Sequence, residues 1–151
     1  MKIRVRKFNE LSTSELYQVL QLRSAVFVVE QQCIYQDVDG KDQKAHHVMV
    51  EIDGKVVGYT RIFEPGDYFE NTSIGRVVVE KDKRALGLGV DLMQASITYI
   101  ETELQQGVIE LSAQTYLKRF YNDLGFKVVG EGYLEDGIPH IKMIRKTPIS
   151  A

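Results

Sequence analysis

The fold of this chain is decided by one stretch, Ile74-Gly75-Arg76-Val77-Val78-Val79-Glu80-Lys81-Asp82-Lys83-Arg84-Ala85-Leu86-Gly87-Leu88-Gly89. Its first half is a valine-rich run that predicts a β-strand, and its second half is a basic, glycine-containing turn that opens a helix. The first amides of a helix have no intrahelical partner and carry partial positive charge. Gly87 and Gly89 let an anion approach the backbone, and Arg84 adds a cation. The stretch therefore predicts a pyrophosphate-binding turn.

Two common phosphate-binding motifs do not fit this turn. A Walker A loop needs Lys-Ser or Lys-Thr after its last glycine, where Val90-Asp91 stands. A dinucleotide-binding fingerprint needs a third glycine where Leu92 stands. The pattern Arg-x-x-Gly-x-Gly after a strand remains, and an ordinary strand-to-helix connection is the alternative.

Composition favours one globular domain over residues 1–151. The chain has 19 basic and 21 acidic side chains and a net charge of -2, which does not favour a nucleic-acid or membrane partner. The single Cys33 cannot form an internal disulfide. The first seven residues alternate charged and apolar side chains and lack the apolar core of a signal peptide. We therefore expect a cytoplasmic protein.

Hydrophobic periodicity gives the order of the elements. It predicts strands at 2–8, 47–53, 55–63, 73–80, 108–113, 127–135 and 138–145, with helices at 12–27, 88–104 and 115–124. The order is β-α-β-β-β-α-β-α-β-β, an α/β chain (α+β) with a mixed sheet and helices on its faces. The polar, acidic segment 33–44 is expected to be a loop that borders a site.

Several motifs resemble one known family. The turn from Arg84 to Gly89 resembles the acyl-CoA-binding motif of the GNAT superfamily of N-acetyltransferases, and Phe120-Tyr121-Asn122-Asp123-Leu124-Gly125-Phe126 resembles its second cofactor segment. The segments 22–31, 35–40 and 135–141 are similar to the ElaA-like branch of that superfamily. The likeness thus covers nearly the whole chain.

This resemblance implies an acetyl-CoA-dependent enzyme with the GNAT fold. It implies direct attack on the thioester by a primary amine of a small molecule or of a protein. The pantetheine arm would lie along the strand, and the diphosphate would bind at the turn. The implied cofactor-binding residues are Val77, Val78, Val79, Arg84, Ala85, Leu86, Gly87, Leu88, Gly89 and Tyr121. A homodimer is left open.

Three side chains are candidates for proton transfer. Tyr121 occupies the tyrosine of the second motif, and a phenol stays protonated at neutral pH, so it is the candidate general acid; from periodicity alone it would be a core aromatic. His140 is the first candidate for the base, in a segment that resembles glyphosate-acetylating relatives, although a lone strand histidine is commonly structural. Glu30 competes with it, as does His46. The expected acceptor-binding residues are Arg23, Phe27, Glu30, His46, Arg76 and His140.

Other features of the sequence leave alternatives open. The acidic loop at 37–42 lacks the Gly and Glu of a calcium loop, and we expect no metal. Its acids either attract a cationic amine or form a solvated turn. Arg61 and Arg76 either order an acceptor carboxylate or pair with acids. A non-catalytic acyl-CoA sensor is the alternative function, and an acyl-homoserine-lactone synthase fits less well because its motif needs a Trp, which this chain lacks.

Overall fold

A mixed β-sheet forms the centre of the molecule. The computed structural model describes residues 1–149, and within them eight strands form one sheet. They are β1 (Lys2–Lys7), β2 (His46–Ile52), β3 (Lys55–Phe63), β4 (Thr72–Val79), β5 (Val108–Gln114), β6 (Lys127–Val128), β7 (Tyr133–Glu135) and β8 (Ile138–Lys146). The order across the sheet is β1-β2-β3-β4-β5-β8-β6, and β7 also pairs with β8. The β4–β5 pair is parallel, whereas the other pairs are antiparallel.

Three α-helices lie between the strands in the residues that the structure describes. Helix α1 (Thr13–Arg23) begins at a capping box in which Ser12 Oγ accepts a hydrogen bond from the Glu15 amide, and it continues as a π-helical segment (Ser24–Glu30). Helix α2 (Leu88–Thr102) follows β4, and the short α3 (Lys118–Asp123) follows β5. No helix within residues 1–149 has both the length and the apolar character that a membrane crossing requires.

The helices cover both faces of the sheet. Leu92, Met93 and Ile100 of α2 are buried in the larger core cluster, on one face. Val19 and Leu22 of α1 are buried in a second cluster, with residues of β2, β3 and β4 that point to the opposite face. The central strands are therefore covered on both sides.

The predicted mixed sheet with flanking helices is confirmed, but the C-terminal prediction was wrong in one detail. The predicted strand at 127–135 is two short strands, because Gly130 has a φ of +81° that a regular strand does not accept. The two hairpin turns at Asp53-Gly54 and Asp136-Gly137 have positive φ at both residues, as the sequence predicts.

Candidate active site

The parallel strands β4 and β5 separate and leave an open wedge in the sheet. They pair only at Thr72–Ile109 and Ser73–Glu110. Beyond these pairs, no strand within residues 1–149 pairs with the edge of β4 that faces β5, up to Val79. The other edge of β4 remains paired with β3. The wedge therefore exposes a strand edge to which an extended ligand can add main-chain hydrogen bonds.

A β-bulge lies at the start of the wedge. The register between β3 and β4 shifts between Tyr59, opposite Val78, and Arg61, opposite Gly75. Arg76 in the bulge has a φ of +50°, a conformation that is uncommon for a residue other than glycine. Its Nε lies 2.7 Å from Asp37 Oδ1, and its Nη2 donates to the Asp37 carbonyl oxygen at 3.2 Å. These contacts hold the bulge in its bent form.

A cleft of about 470 Å³ runs from this bulge to the start of α2. The strand residues Val77, Val78 and Val79 form one wall of the cleft. Most of the predicted cofactor-binding residues line it, namely Val77, Val78, Val79, Arg84, Gly87, Gly89 and Tyr121. The cleft therefore joins the exposed strand edge to the glycine turn, as the motif predicts.

The start of α2 shapes the far end of the cleft. A 3-10 turn (Lys81–Leu86) leads into it, and Gly87 at the N-cap has a left-handed φ of +72° that favours glycine. Three predicted cofactor-binding residues are not on the cleft wall. Ala85 and Leu86 are exposed, and Leu88 is buried in the core. The turn directs the side chains of Ala85 and Leu86 toward solvent. Leu88, the first residue of α2, points into the core.

Arg84 and Glu30 form an ion pair at the cleft. Arg84 Nη1 and Nη2 donate to the two carboxylate oxygens of Glu30 at 2.6 and 2.8 Å, and Arg84 Nε donates to the Val79 carbonyl oxygen at 3.1 Å. The hydrogen bonds from Arg84 lower the pKa of Glu30. A carboxylate with a lowered pKa is a weaker base, so this placement disfavours Glu30 as the general base.

Tyr121 lies where the cleft meets a second cavity, and its side chain lines both. Its ring makes edge contacts with Phe120 and Phe126, with interplanar angles of 77° and 79°. Burial raises the pKa of Tyr121 above its ordinary value, so the phenol keeps its proton at neutral pH. It can therefore act as a proton donor there.

The second cavity, of about 110 Å³, is here called the acceptor pocket. His140 lines it, and its Nδ1 lies 2.7 Å from the Ile138 carbonyl oxygen. A carbonyl oxygen only accepts, so Nδ1 carries the proton and Nε2 of the neutral ring has the free lone pair. Glu135 Oε2 is 3.4 Å from this Nε2, and the Tyr133 ring stacks on the imidazole. His140, with Glu135 beside its Nε2, and Tyr121 thus line the same pocket.

A model of the acetyltransferase (GNAT) domain matches residues 11–147. This chain belongs to the GNAT acetyltransferase family. It is 43% identical to protein ElaA of Escherichia coli over 140 residues, 91% of this chain and 92% of ElaA. The crystal structure of ElaA superposes with a TM-score of 0.90, with 96% of this chain and 99% of ElaA covered.

Other GNAT structures have the same architecture. An acyl-CoA N-acyltransferase from Pseudomonas aeruginosa superposes with a TM-score of 0.90 at 41% identity, covering 96% of this chain and 99% of the other. An aminoglycoside 6'-N-acetyltransferase, solved in complex with coenzyme A, shares the fold with a TM-score of 0.74 at 17% identity and full coverage of both chains. The predicted GNAT membership and ElaA-like likeness are thereby confirmed.

Two expected acceptor-binding residues of this GNAT chain do not line the acceptor pocket. Arg23 is fully buried, and its guanidinium donates to Asp37 Oδ2 and Asp42 Oδ1, both at 2.8 Å. His46 lies on another side of the sheet, where its ring nitrogens contact Glu64 and Tyr99. Neither side chain lines the acceptor pocket. The structure instead holds Arg23 and His46 through partners from other segments of the chain, which the sequence pattern does not indicate.

The other expected acceptor-binding residues do reach the site. Phe27 lines both the cleft and the acceptor pocket, Arg76 and His140 line the pocket, and Glu30 lines the cleft. The acidic loop is neither a solvated turn nor an open acidic surface. Its acids fold inward and pair with arginines, as described for Arg23.

Sequence reasoning missed Glu135 and Ser112 as pocket residues. Both line the acceptor pocket. The predicted hairpin at Asp136-Gly137 contained the necessary signal, because its register sets Glu135 opposite Ile138 and Tyr133 opposite His140. Ser112 had no local signal, since its position depends on where β4 and β5 separate.

Proposed function

We propose that this GNAT protein transfers an acetyl group from acetyl-CoA to a primary amine of a small molecule or of a protein. One observation carries the proposal: Tyr121 lines both a cleft that ends at the glycine turn and a pocket lined by His140, whose ring is held through Nδ1 by the Ile138 carbonyl oxygen. The name of the Pseudomonas aeruginosa relative, an acyl-CoA N-acyltransferase at 41% identity, supports the same assignment.

Acetyl-CoA fits the cleft by shape and by chemistry. The left-handed Gly87, the adjacent Gly89 and the unpartnered first amides of α2 suit a diphosphate. The free edge of β4 suits the amide-containing pantetheine arm. Acetyl-CoA supplies an acetyl thioester when bound. The residues of the protein hold and activate the reacting partners.

Proton transfer is divided between two side chains. His140 Nε2 accepts the proton that the amine loses when its nitrogen bonds to the carbonyl carbon. A backbone amide of the β4 edge stabilises the negative charge that develops on the carbonyl oxygen. Tyr121 donates a proton to the sulfur as the carbon–sulfur bond breaks. One proton leaves the amine and one joins the thiolate, and transfer of a proton from His140 through solvent to the Tyr121 phenolate would restore both side chains. The reaction therefore balances without a covalent enzyme intermediate.

The test combines cofactor binding with turnover. Wild-type protein is expected to bind acetyl-CoA by calorimetry and to release free thiol with at least some members of a broad amine panel. Gly89→Val should weaken acetyl-CoA binding by at least about tenfold, because Gly89 lines the cleft and a branched side chain there would occupy space that the diphosphate needs. A Cβ at Gly89 lies an ordinary 3.5 Å from the Phe120 ring, so the fold should tolerate the change.

Gln94→Val is the matched control, because Gln94 is an exposed residue of the same helix and is not on the cleft wall. Unchanged affinity in Gly89→Val would remove the diphosphate from this turn. Cofactor binding without thiol release across the panel would favour the acyl-CoA sensor over the enzyme.

A further inference from the structure

A small recess continues from the acceptor pocket. It has a volume of about 60 Å³, room for a group of a few non-hydrogen atoms. The recess and the acceptor pocket share the wall residues Ile74, Gly75, Arg76, Ser112 and Glu135. Its own walls come from β3, from the start of β4 and from the segment between them: Arg61, Phe63, Tyr68, Phe69 and Ser73. An acceptor bound beside His140 can therefore extend one end into the recess.

Two buried polar atoms on residues of this recess have no hydrogen-bond partner in the described part of the chain. Arg61 is 1% exposed and Ser73 is 2% exposed. The other guanidinium nitrogens of Arg61 donate to Asp39 and Asp42, but Arg61 Nε and Ser73 Oγ are left without a partner. Buried polar groups are nearly always paired, so such atoms indicate a missing partner. Arg76 Nε is not a third example, since it lies 2.7 Å from Asp37 Oδ1.

The hydrogen-bonding capacity of Arg61 Nε and Ser73 Oγ determines which chemical group can pair with both atoms. An arginine Nε carries one N–H and only donates, and a serine hydroxyl can donate as well. An ammonium group also only donates, so it cannot satisfy Arg61 Nε. A carboxylate accepts from both.

The walls of the recess suit an anion at one end and a cation at the other. Phe63 and Tyr68 are stacked at 5.0 Å, with the Arg61 guanidinium over both rings. At the rim, Lys41 Nζ lies 4.9 Å from the centre of the Tyr68 ring. The acidic Glu135 stands instead on the wall shared with the acceptor pocket, 3.4 Å from His140 Nε2. Glu135 thus places a negative charge beside the base, where the amine belongs, whereas Asp39 and Asp42 pair with the terminal nitrogens of Arg61 and not with its Nε.

We propose that the recess is a carboxylate subsite and that the acceptor is a compact amine that also carries a carboxylate. The amine lies at His140 and Glu135, and the carboxylate receives hydrogen bonds from Arg61 Nε and Ser73 Oγ. This inference rests on the proposed acetyl transfer, of which it specifies the acceptor.

Binding of matched amines to the protein–CoA complex tests the proposal. The probes are ω-amino acids of three to five carbons, their terminal amides and the diamines of equal length, titrated by calorimetry. At least one acid should bind about tenfold or more tightly than its amide and its diamine, because only the acid supplies a charged acceptor. Ser73→Ala should weaken binding of that acid about tenfold and leave the amide unchanged.

The control is Thr72→Val. Thr72 Oγ1 is also buried without a partner, but Thr72 is not on the recess wall, so the loss of this hydroxyl should not change acid binding. Ser73→Ala removes no hydrogen bond from the fold and should not lower the melting temperature. If no acid binds, if acid and amide bind equally, if a diamine binds best or if Ser73→Ala has no effect, the carboxylate subsite is overturned.

Thiol release separates this inference from the proposed function. Acetylation of diamines or simple amines without preference for the acids would keep the acetyltransferase and overturn the subsite. Tight acid binding without acetylation of any amine would keep the subsite and overturn the acetyltransferase.

Discussion

The cofactor cleft and the acceptor pocket meet at Tyr121 but are built from different parts of the chain. One wall of the cleft is the free main-chain edge of β4, and its far end is the glycine turn before α2, all within one stretch of sequence. The pocket adds side chains of β5, of the β7–β8 hairpin and of the loop that follows α1 to the bulge of β4 and to a wall that it shares with the cleft. The cleft should therefore be sensitive to added bulk, whereas the pocket should be sensitive to changes of charge.

The charges around the pocket belong to a buried network of three arginines and three aspartates. Asp42 Oδ1 receives hydrogen bonds from Arg23 and Arg61, at 2.8 and 2.9 Å. Asp37 pairs with Arg23 and with Arg76. The network ties the loop after α1 to the sheet and to the bulge of β4, so it supports the pocket from behind.

The largest effect is expected from Asp42→Asn. The substitution leaves two buried guanidinium groups without one of their counter-charges, and breaking a buried pair in this way costs about 3 to 5 kcal/mol of unfolding free energy. Urea denaturation measures the loss. Any folded variant should show a raised KM for the acceptor and unchanged affinity for acetyl-CoA. Asp123→Asn, on the exposed surface of α3, is the control and should change stability by less than about 0.5 kcal/mol.

The same network predicts how wild-type stability depends on pH. Burial would raise the pKa of Asp39 and Asp42, but hydrogen bonds and charge from the arginines outweigh it, so both values fall, that of Asp39 to about 2. Because these folded-state values lie below the unfolded ones, the stabilisation is complete above about pH 4 and is lost as the pH falls toward 2. Asp42→Asn should show a shallower loss in this window. An equally steep loss in the variant would contradict this account of the network.

The next largest effect is expected from Tyr121→Phe, at the junction of the two regions. Loss of the proton donor should lower kcat about a hundredfold, while affinity for acetyl-CoA stays the same because the ring still lines the cleft. Steady-state kinetics with calorimetry measures both quantities. Tyr116→Phe removes another phenol from the same cleft wall and should keep kcat within about twofold. Full activity in Tyr121→Phe would remove this residue from the mechanism.

The two regions also differ in how far the sequence predicts them. The cleft depends on a strand, a turn and a helix start that are consecutive, so Arg84, Gly87 and Gly89 could be assigned from local pattern. Arg23 could not be placed, because its partners Asp37 and Asp42 lie 14 and 19 residues away in an irregular loop. An acidic loop has the same sequence pattern whether its side chains are solvated or pair with buried arginines.

The alternation of side chains along a strand predicts only part of the placement of the histidines. It separates the faces of His46 and His47 but does not say which face borders the acceptor pocket. The wedge between β4 and β5 has no local signal at all, since it depends on where two strands distant in sequence stop pairing. A local sequence pattern thus predicts the strand, turn and helix start that shape the cleft, whereas the contacts that build the pocket leave no local pattern.

The smallest effect is expected from Glu30→Gln, which tests whether the base belongs to the cleft or to the pocket. Glu30 is already neutralised by two hydrogen bonds from Arg84, and its pKa is lowered, so it is a poor proton acceptor. We expect kcat within about threefold of wild type. KM for acetyl-CoA should fall or stay unchanged, since Arg84 is freed to contact the diphosphate.

His140→Gln is the matched comparison, because it replaces the other candidate base with the same neutral side chain. It should lower kcat about a hundredfold or more and leave acetyl-CoA affinity unchanged, since His140 lines the pocket and not the cleft. The reverse result, a large loss of kcat in Glu30→Gln and little change in His140→Gln, would move the base across Tyr121 into the cleft. The cleft would then not only bind the cofactor through its backbone, because the Glu30 carboxylate in it would also take part in the reaction. The division of roles between the cleft and the acceptor pocket would be wrong.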